Sequence, residues 1–201
     1  MQITKYTTPQ DYLDIRVQEI AYTQNRGAES EDQLWSMEHT PCFTIGNNWP
    51  ATDVIANPDN LPIIQDDRGG GVTYMGPGMI AVHTLVGFRD KTYSVAEFIN
   101  RLEAAVIATL SSLGIVGTLD PANSGVFVGD AKIASVGLTH INRSVYHGIA
   151  LYYNMDKSQF NNIVVCGVQG GAVTDIVSLG GTISYVDLEE LFLNNIVSQL
   201  T

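Results

Sequence analysis

Three β-type runs, SGVFV, KIASVGL and SVYHGIALYYN, follow one another between Ser124 and Asn154, with Gly129-Asp130 and Asn142-Arg143 as their turn signals. Links this short leave no room for the helical crossover that parallel pairing needs, so an antiparallel meander is expected. Upstream, LPIIQ, GVTYM and MIAVHTLVGF also read as strands. The last two flank Gly76-Pro77-Gly78, which predicts a hairpin. The clearest helix is SVAEFINRLEAAVIATLSSLG. Ser94 and Glu97 make a capping box, and Gly114 stops the helix. Val95, Phe98, Ile99, Leu102, Val106, Leu110 and Leu113 form one apolar stripe. A first helix is expected over residues 9–22, opening at Thr8-Pro9 with Leu13, Val17, Ile20 and Ala21 at helical spacing. A last one is expected from roughly Val186 to Leu200. Strands in groups with helices between the groups indicate α+β, with mixed or antiparallel sheets and flanking helices, rather than a doubly wound parallel sheet.

The 201 residues suit a single domain, 1–201, around one core, and 45% apolar with 15% charged residues is ordinary for a globular chain. A formal net charge of -11 excludes a nucleic-acid partner as the default, because phosphate binding needs clustered Lys and Arg. The N-terminus MQITKYTTPQDY lacks a basic region followed by an apolar stretch, and AAVIATL is too short to cross a bilayer. No export signal and two cysteines predict a cytoplasmic protein, no membrane association and reduced thiols, so a Cys42–Cys166 disulfide is not expected. Cys42, in HTPCFTIG, reads as core.

Four stretches carry the candidate chemistry. In DDRGGGVTYMGPG, three glycines before a β-branched strand imply either close backbone approach to a ligand, with Arg68 as a cationic anchor, or a glycine bulge. The Gly-Lys-Ser/Thr ending of a phosphate loop is absent. Lys132 is placed by period-2 alternation on the face of Ala134, Val136 and Leu138. It either snorkels outward or points into a pocket, where it would favour a facing thiolate. His147 shares a face with Val145, Ile149 and Leu151. It reads as a core histidine satisfied by a backbone carbonyl, or as a base or supporting group near a thiol. Cys166, in NIVVCGVQGGAV, ends a β-branched run before Gly167, Gly170 and Gly171. Residue type alone leaves it open between apolar filler and nucleophile. No pair of histidines or carboxylates shows metal-ligand spacing, so no metal is expected.

Taken in order and spacing, RGGGVTYMGPG, AKIASVGL, HGIAL and VVCGVQGG resemble the lipoyl(octanoyl) transferase family, from about Met37 to about Thr174. The resemblance implies an α+β fold shared with lipoate and biotin protein ligases, with sheets enclosing a tunnel for an acyl chain. It implies Cys166 as nucleophile and Lys132 as the residue lowering the thiol's pKa. It puts substrate contacts on Arg68, Gly69, Gly70, Gly71, Val72, Thr73, Tyr74 and Met75, on Ser135, Val136 and Gly137, and on Gly148, Ile149 and Ala150. The implied reaction moves octanoyl from acyl carrier protein, through a thioester on the enzyme, to a lysine of a lipoyl domain in 2-oxoacid dehydrogenase E2 subunits or the glycine cleavage H protein. It needs no cofactor beyond the carrier's phosphopantetheine. Where the family pattern reads Tyr-His-Gly-Pro-Gly-Gln, this chain has Met75 for the histidine and Met79 for the glutamine. The stretch GLTHINRS also lacks a basic residue often found after Gly-Leu.

Three alternatives share parts of this pattern: an ATP-dependent lipoate- or biotin-type ligase, a thiol hydrolase using Cys166 and His147, and a non-catalytic acyl-binding homologue. Because the carrier is acidic, docking on this acidic chain is expected to use a basic rim formed by several of Arg68, Arg89, Lys91 and Arg143.

Overall fold

The computed structural model describes residues 1–47, 49–165, 168–169 and 172–201. In chain order the elements are β1 (Gln2–Lys5), α1 (Tyr12–Gln24), β2 (Gln33–Met37), β3 (Cys42–Ile45), β4 (Ile63–Gln65), β5 (Val72–Met75), β6 (Met79–Gly87) and α2 (Val95–Ser112). Then come β7 (Thr118–Asp120), β8 (Asn123–Val128), β9 (Ala131–Ile141), β10 (Ser144–Tyr152), β11 (Val164–Val165), β12 (Val168–Gln169) and α3 (Tyr185–Leu200). Seven strands form one sheet in the order β1-β2-β6-β10-β9-β8-β7, antiparallel except for β1 with β2. A three-stranded sheet, β4-β3-β5, and the hairpin β11-β12 complete the architecture. This is the α+β arrangement expected from the grouping of the strands.

The large sheet separates two cores, and period-2 alternation along β6 feeds both. Ile80, Val82 and Val86 pack with α2 and α3, whereas Met79, Ala81 and Leu85 pack with α1 and the small sheet. On α2, Phe98, Leu102, Ala105, Val106 and Leu110 are buried against Leu188, Phe192 and Ile196 of α3. Ser94 Oγ accepts the Glu97 amide at 3.2 Å, and Gly114 takes the left-handed conformation (φ 72°) just past the helix. The β8–β9–β10 meander forms as expected. Asn142 and Arg143 both adopt positive φ, which gives the tight turn the twist of its flanking strands.

Four local expectations give way to tertiary constraints. First, α1 begins at Tyr12 rather than at Pro9. Asp11 caps it, accepting the amides of Leu13 and Asp14 at 2.9 and 3.2 Å. Its buried face is Tyr12, Ile15, Glu19 and Thr23, while Leu13 and Val17 are 48% and 68% exposed. A carboxylate displaces leucine and valine from the interior because the imidazoles of His83 and His147 meet it there.

Second, β5 and β6 do not pair. β5 joins β3 in the small sheet, and β6 lies between β2 and β10. The Gly76-Pro77-Gly78 turn exists, but it carries the chain from one sheet to the other. Gly78 (φ 84°) donates its amide to Glu38 Oε1 at 2.6 Å and presses on the Asn154 carbonyl, where a Cβ would sit 2.0 Å away. Turn chemistry fixes the reversal of the backbone, not the strand that is met afterwards.

Third, alternation along β9 breaks next to Lys132. Val126 faces Ala134 but Phe127 faces Lys132, so Ile133 is the extra residue of a β-bulge. Ile133 and Ala134 both enter the helix-side core, and Lys132 with Ser135 falls on the opposite side. Lys132 therefore does not share a face with Ala134, Val136 and Leu138.

Fourth, His147 stands at φ 62° inside β10 and donates its amide to Glu19 Oε2 at 3.1 Å. That inversion turns the ring toward α1, away from the face of Val145, Ile149 and Leu151. The next residue, Gly148, sits so close to β6 that a Cβ would lie 1.9 Å from the Val82 carbonyl oxygen. Gly148→Ala is expected to cost at least about 1–3 kcal/mol, the usual penalty of overpacking, read as a lower midpoint in urea unfolding. An unchanged midpoint would mean that β6 and β10 separate freely there.

Candidate active site

A cavity of about 390 Å³ opens between the large sheet and the small one, within the roughly 300–1,000 Å³ of small-molecule sites. β9 contributes Lys132, Ser135, Val136 and Gly137, β10 contributes His147, Gly148, Ile149 and Ala150, and β6 contributes Ala81, Val82 and His83. Arg68, Gly70, Gly71, Val72, Thr73 and Met75 come from the glycine loop and β5, with Tyr12, Trp49, Ala122, Asn123 and Ser124 around them. Two residues of the glycine stretch point elsewhere. Gly69 is not in the cavity wall and donates its amide to the Leu138 carbonyl at 3.0 Å. Tyr74 packs edge-on between the rings of Phe43 and Phe160 in the core.

Lys132 is 7% exposed, and its ammonium donates to the Ser124 carbonyl at 2.8 Å above the Phe127 ring. Its main chain is zipped to the segment that follows the glycines: Lys132 N donates to Ala172 O and Thr174 N donates to Lys132 O, both at 2.9 Å. Cys166, and with it the expected Lys132–Cys166 pairing, lies outside the described residues, as do Gly167, Gly170 and Gly171. Five residues along β9, about 16 Å of strand, separate Lys132 from Gly137. Beside Gly137 lies Arg68, whose guanidinium is held by Thr44 Oγ1, Thr44 O and Gly69 O at 2.7–3.2 Å.

That far end is charged. The side chain of Glu19, fully buried, meets His147 Nδ1 through Oε1 and His83 Nδ1 through Oε2, each at 2.7 Å. His147 Nε2 faces Asp67 Oδ1 at 3.1 Å and Asp66 Oδ1 at 3.4 Å, and Asp66 also accepts from Tyr12 OH at 2.5 Å and forms an ion pair with Arg16 Nε at 2.9 Å. His147 is therefore surrounded by carboxylates, with its Nε2 bonded to Asp67, and does not meet the backbone carbonyl expected of a core histidine. Burial alone would lower its pKa, but the Glu19 and Asp67 carboxylates outweigh burial and raise it to about 9. Glu19 is held well below the usual carboxylate range, with the two imidazoles overcoming its burial. His39, whose Nε2 lies 2.9 Å from His83 Nε2, is pushed down to about 3 by burial and by His83. Two groups here could each converge on a cation, Glu19 with His83 and His147, and Asp66 with Asp67 and His147, their donor atoms lying within 4.8 Å of one another.

Glu19, His83 and Tyr12 are absent from the sequence-derived site, although His83 left a trace as the single ionisable residue in the apolar run MIAVHTLVG. Three of the four cations expected on one rim, Arg89, Lys91 and Arg143, do line one cavity of about 270 Å³ with Arg26, but it lies apart from the first, beyond the other end of β9, and Arg26 and Lys91 are both paired with Asp32. Arg68 belongs to the first cavity, and about 30 Å of strand lie between Lys132 and Arg143.

The model of the lipoyl protein ligase A/B catalytic domain matches residues 11–197. The chain belongs to that family. Among curated relatives, an octanoyltransferase of Neisseria meningitidis serogroup C is 44% identical over 77% of this chain and 74% of its own length. Octanoyltransferases of Pseudomonas entomophila and Vibrio atlanticus are 37% and 36% identical, over 89% and 98% of this chain and 83% and 90% of theirs. Among solved structures, lipoate-protein ligase A bound with ATP aligns with a TM-score of 0.82 over 99% of this chain and 85% of its own, at 13% identity. A bi-partite lipoate protein ligase of Thermoplasma acidophilum gives 0.80 over 99% and 82%, at 14% identity. Biotin protein ligase of Aquifex aeolicus gives 0.55 over 100% and 69%, at 9% identity. These structures share the fold.

The other thiol of this family member, Cys42, is buried in β3 opposite Met75. Burial, then the carboxylates of Asp11 and Asp66, push it up to about 12. The fold thus favours the protonated thiol, so its contribution is intact below the free thiol's ~8.5 and is lost as pH rises from there toward about 12. Iodoacetamide at about pH 8 should leave Cys42 unmodified in the folded protein and label it in guanidinium, as read by peptide mapping. Labelling of Cys42 in the native state would contradict this burial.

Proposed function

We propose that the chain is an octanoyltransferase of lipoate biosynthesis, passing octanoyl from acyl carrier protein to the ε-amine of a lipoyl-domain lysine through a Cys166 thioester. The observation that carries this reading is a lysine buried in the wall of a largely apolar cavity, in a chain whose relatives bear that name. In the first half-reaction the Cys166 thiolate attacks the thioester carbonyl. A new C–S bond forms, the bond to phosphopantetheine breaks, and the departing thiolate takes up a proton. In the second, the neutral amine attacks the acyl-enzyme, the C–N bond forms, and the electrons of the breaking C–S bond return to Cys166. Exchange of one thioester for another is nearly isoenergetic, so the protein's work is positioning and stabilisation of the oxyanion. The backbone amides near Gly71–Val72 and at Cys166 are the assigned donors. The ammonium of Lys132 supports the thiolate and gives its proton to the departing phosphopantetheine thiolate, and the neutral amine that remains accepts the proton shed by the incoming lysine in the second half-reaction. No cofactor is needed, because the acyl group arrives activated. The acceptors are lipoyl domains of 2-oxoacid dehydrogenase E2 subunits and the glycine cleavage H protein.

Mixing the protein with octanoyl-carrier protein should add one octanoyl group to its intact mass, and Cys166→Ala should abolish both the adduct and transfer. Loss of the adduct in Cys42→Ala instead would reassign the nucleophile, and no adduct in the unaltered chain would favour an acyl-binding role. In Lys132→Met, the pH midpoint of Cys166 alkylation should rise by about one to three units, the usual effect of removing a nearby opposite charge. An unmoved midpoint would remove Lys132 from the thiolate's support.

A further inference from the structure

We propose that Glu19, His83 and His147 form a site for one divalent transition-metal ion of the Zn²⁺ class, set in the wall of the cavity. These residues come from α1, β6 and β10, far apart in sequence, which is why no ligand spacing announces them and why the sequence alone predicts no metal. The donor set, two imidazoles and one carboxylate, is one that borderline divalent cations favour, with a further position left for water or another ligand. Both histidines line the cavity, so that further position is open to whatever the cavity holds.

Three features distinguish this cluster from an ordinary buried ion pair. Both imidazoles present Nδ1 to the same carboxylate, one to each oxygen at 2.7 Å, so a donor atom from each of the three residues lies within 4.8 Å of the others. Glu19 Oε1 and His147 Nδ1, both buried, lack the alignment of a hydrogen bond and find no other hydrogen-bonding partner. The far nitrogen of each imidazole is held from behind: His147 Nε2 by Asp67 at 3.1 Å, and His83 Nε2 by His39 at 2.9 Å, itself 3.2 Å from the Gln10 carbonyl. A carboxylate behind a ligating histidine fixes its ring and raises its basicity as a ligand. Donor atoms within 4.8 Å of one another need to settle at about 3.4 Å for tetrahedral bonds of about 2.0–2.1 Å. The adjustment is of side-chain size. The ion replaces the two protons on the Nδ1 atoms that face Glu19, which leaves the charge of the cluster unchanged.

Calorimetric titration of chelator-treated protein with Zn²⁺ is expected to show one saturable equivalent. Glu19→Gln and His83→Gln, each checked for a cooperative melt, should weaken it by more than the roughly 10–100-fold that losing an outer partner costs. Co²⁺ should give the visible bands of a tetrahedral nitrogen–oxygen site, without a thiolate charge-transfer band. The absence of a stoichiometric equivalent would overturn the site, as would a thiolate band or folded variants that bind like the parent. Should Glu19→Gln fail to fold, His83→Gln decides alone.

Discussion

The carboxylate of Glu19 joins three elements that nothing else on α1 could hold so tightly. α1 has little apolar surface to offer the sheet, since Leu13 and Val17 face solvent, and its inward side is Tyr12, Ile15, Glu19 and Thr23. Burying a charge on such a helix is affordable only because His83 and His147 reach it from adjacent strands, with Asp66, Asp67, Arg16 and Arg68 balancing the next layer. Breaking a buried pair by removing one partner typically costs about 3–5 kcal/mol, because the survivor keeps its desolvation penalty. The same carboxylate accepts the His147 amide, and so holds a non-glycine residue at φ 62° in mid-strand. The wall of the cavity at Gly148–Ala150 is shaped by that contact.

The cavity's other end depends on a single inserted residue. Without the bulge at Ile133, Lys132 would fall on the helix side of the sheet, among Val126, Phe98 and Leu110. With it, the ammonium reaches the Ser124 carbonyl in the cavity wall while Ile133 and Ala134 fill the core together. Bulges re-aim side chains next to sites in this way. The cavity is therefore bounded by a lysine at one end and a compensated charge cluster at the other, with Met75, Ala81, Ile149 and Ala150 contributing apolar surface. The resemblance to the octanoyltransferase pattern leads one to expect a histidine where Met75 stands. Its apolar thioether, buried opposite Cys42, makes this part of the wall drier, while His83 puts an imidazole on β6 instead.

Separation of the cations also bears on partner recognition. Of the four residues expected on one rim, Arg68 is consumed by Thr44, Gly69 and Asp66, and the remaining three gather with Arg26 well away from Lys132. The entrance of the first cavity therefore draws little positive charge from these residues. No helix among the described residues is long and apolar enough to cross a membrane.

Local physics was enough for the sequence to specify much of this molecule. The Ser94 cap, the apolar stripe of α2 and the stop at Gly114 are settled within one helix, and the β8–β9–β10 meander within its own two-residue turns. The ordered motifs around Arg68, Lys132, Gly148 and Cys166 pointed to the family, and most of the residues they named line one cavity. What the tertiary structure alone decided are the outcomes that depend on distant partners. Whether Gly76-Pro77-Gly78 closes a hairpin depends on β3 competing for β5. Which face of α1 is buried depends on two histidines sixty-four and more residues away. Where Lys132 points depends on one extra residue between two strands. Periodicity reads the preference of a segment for an interior, but it carries no information about which interior, or which charges, the rest of the chain will bring to it.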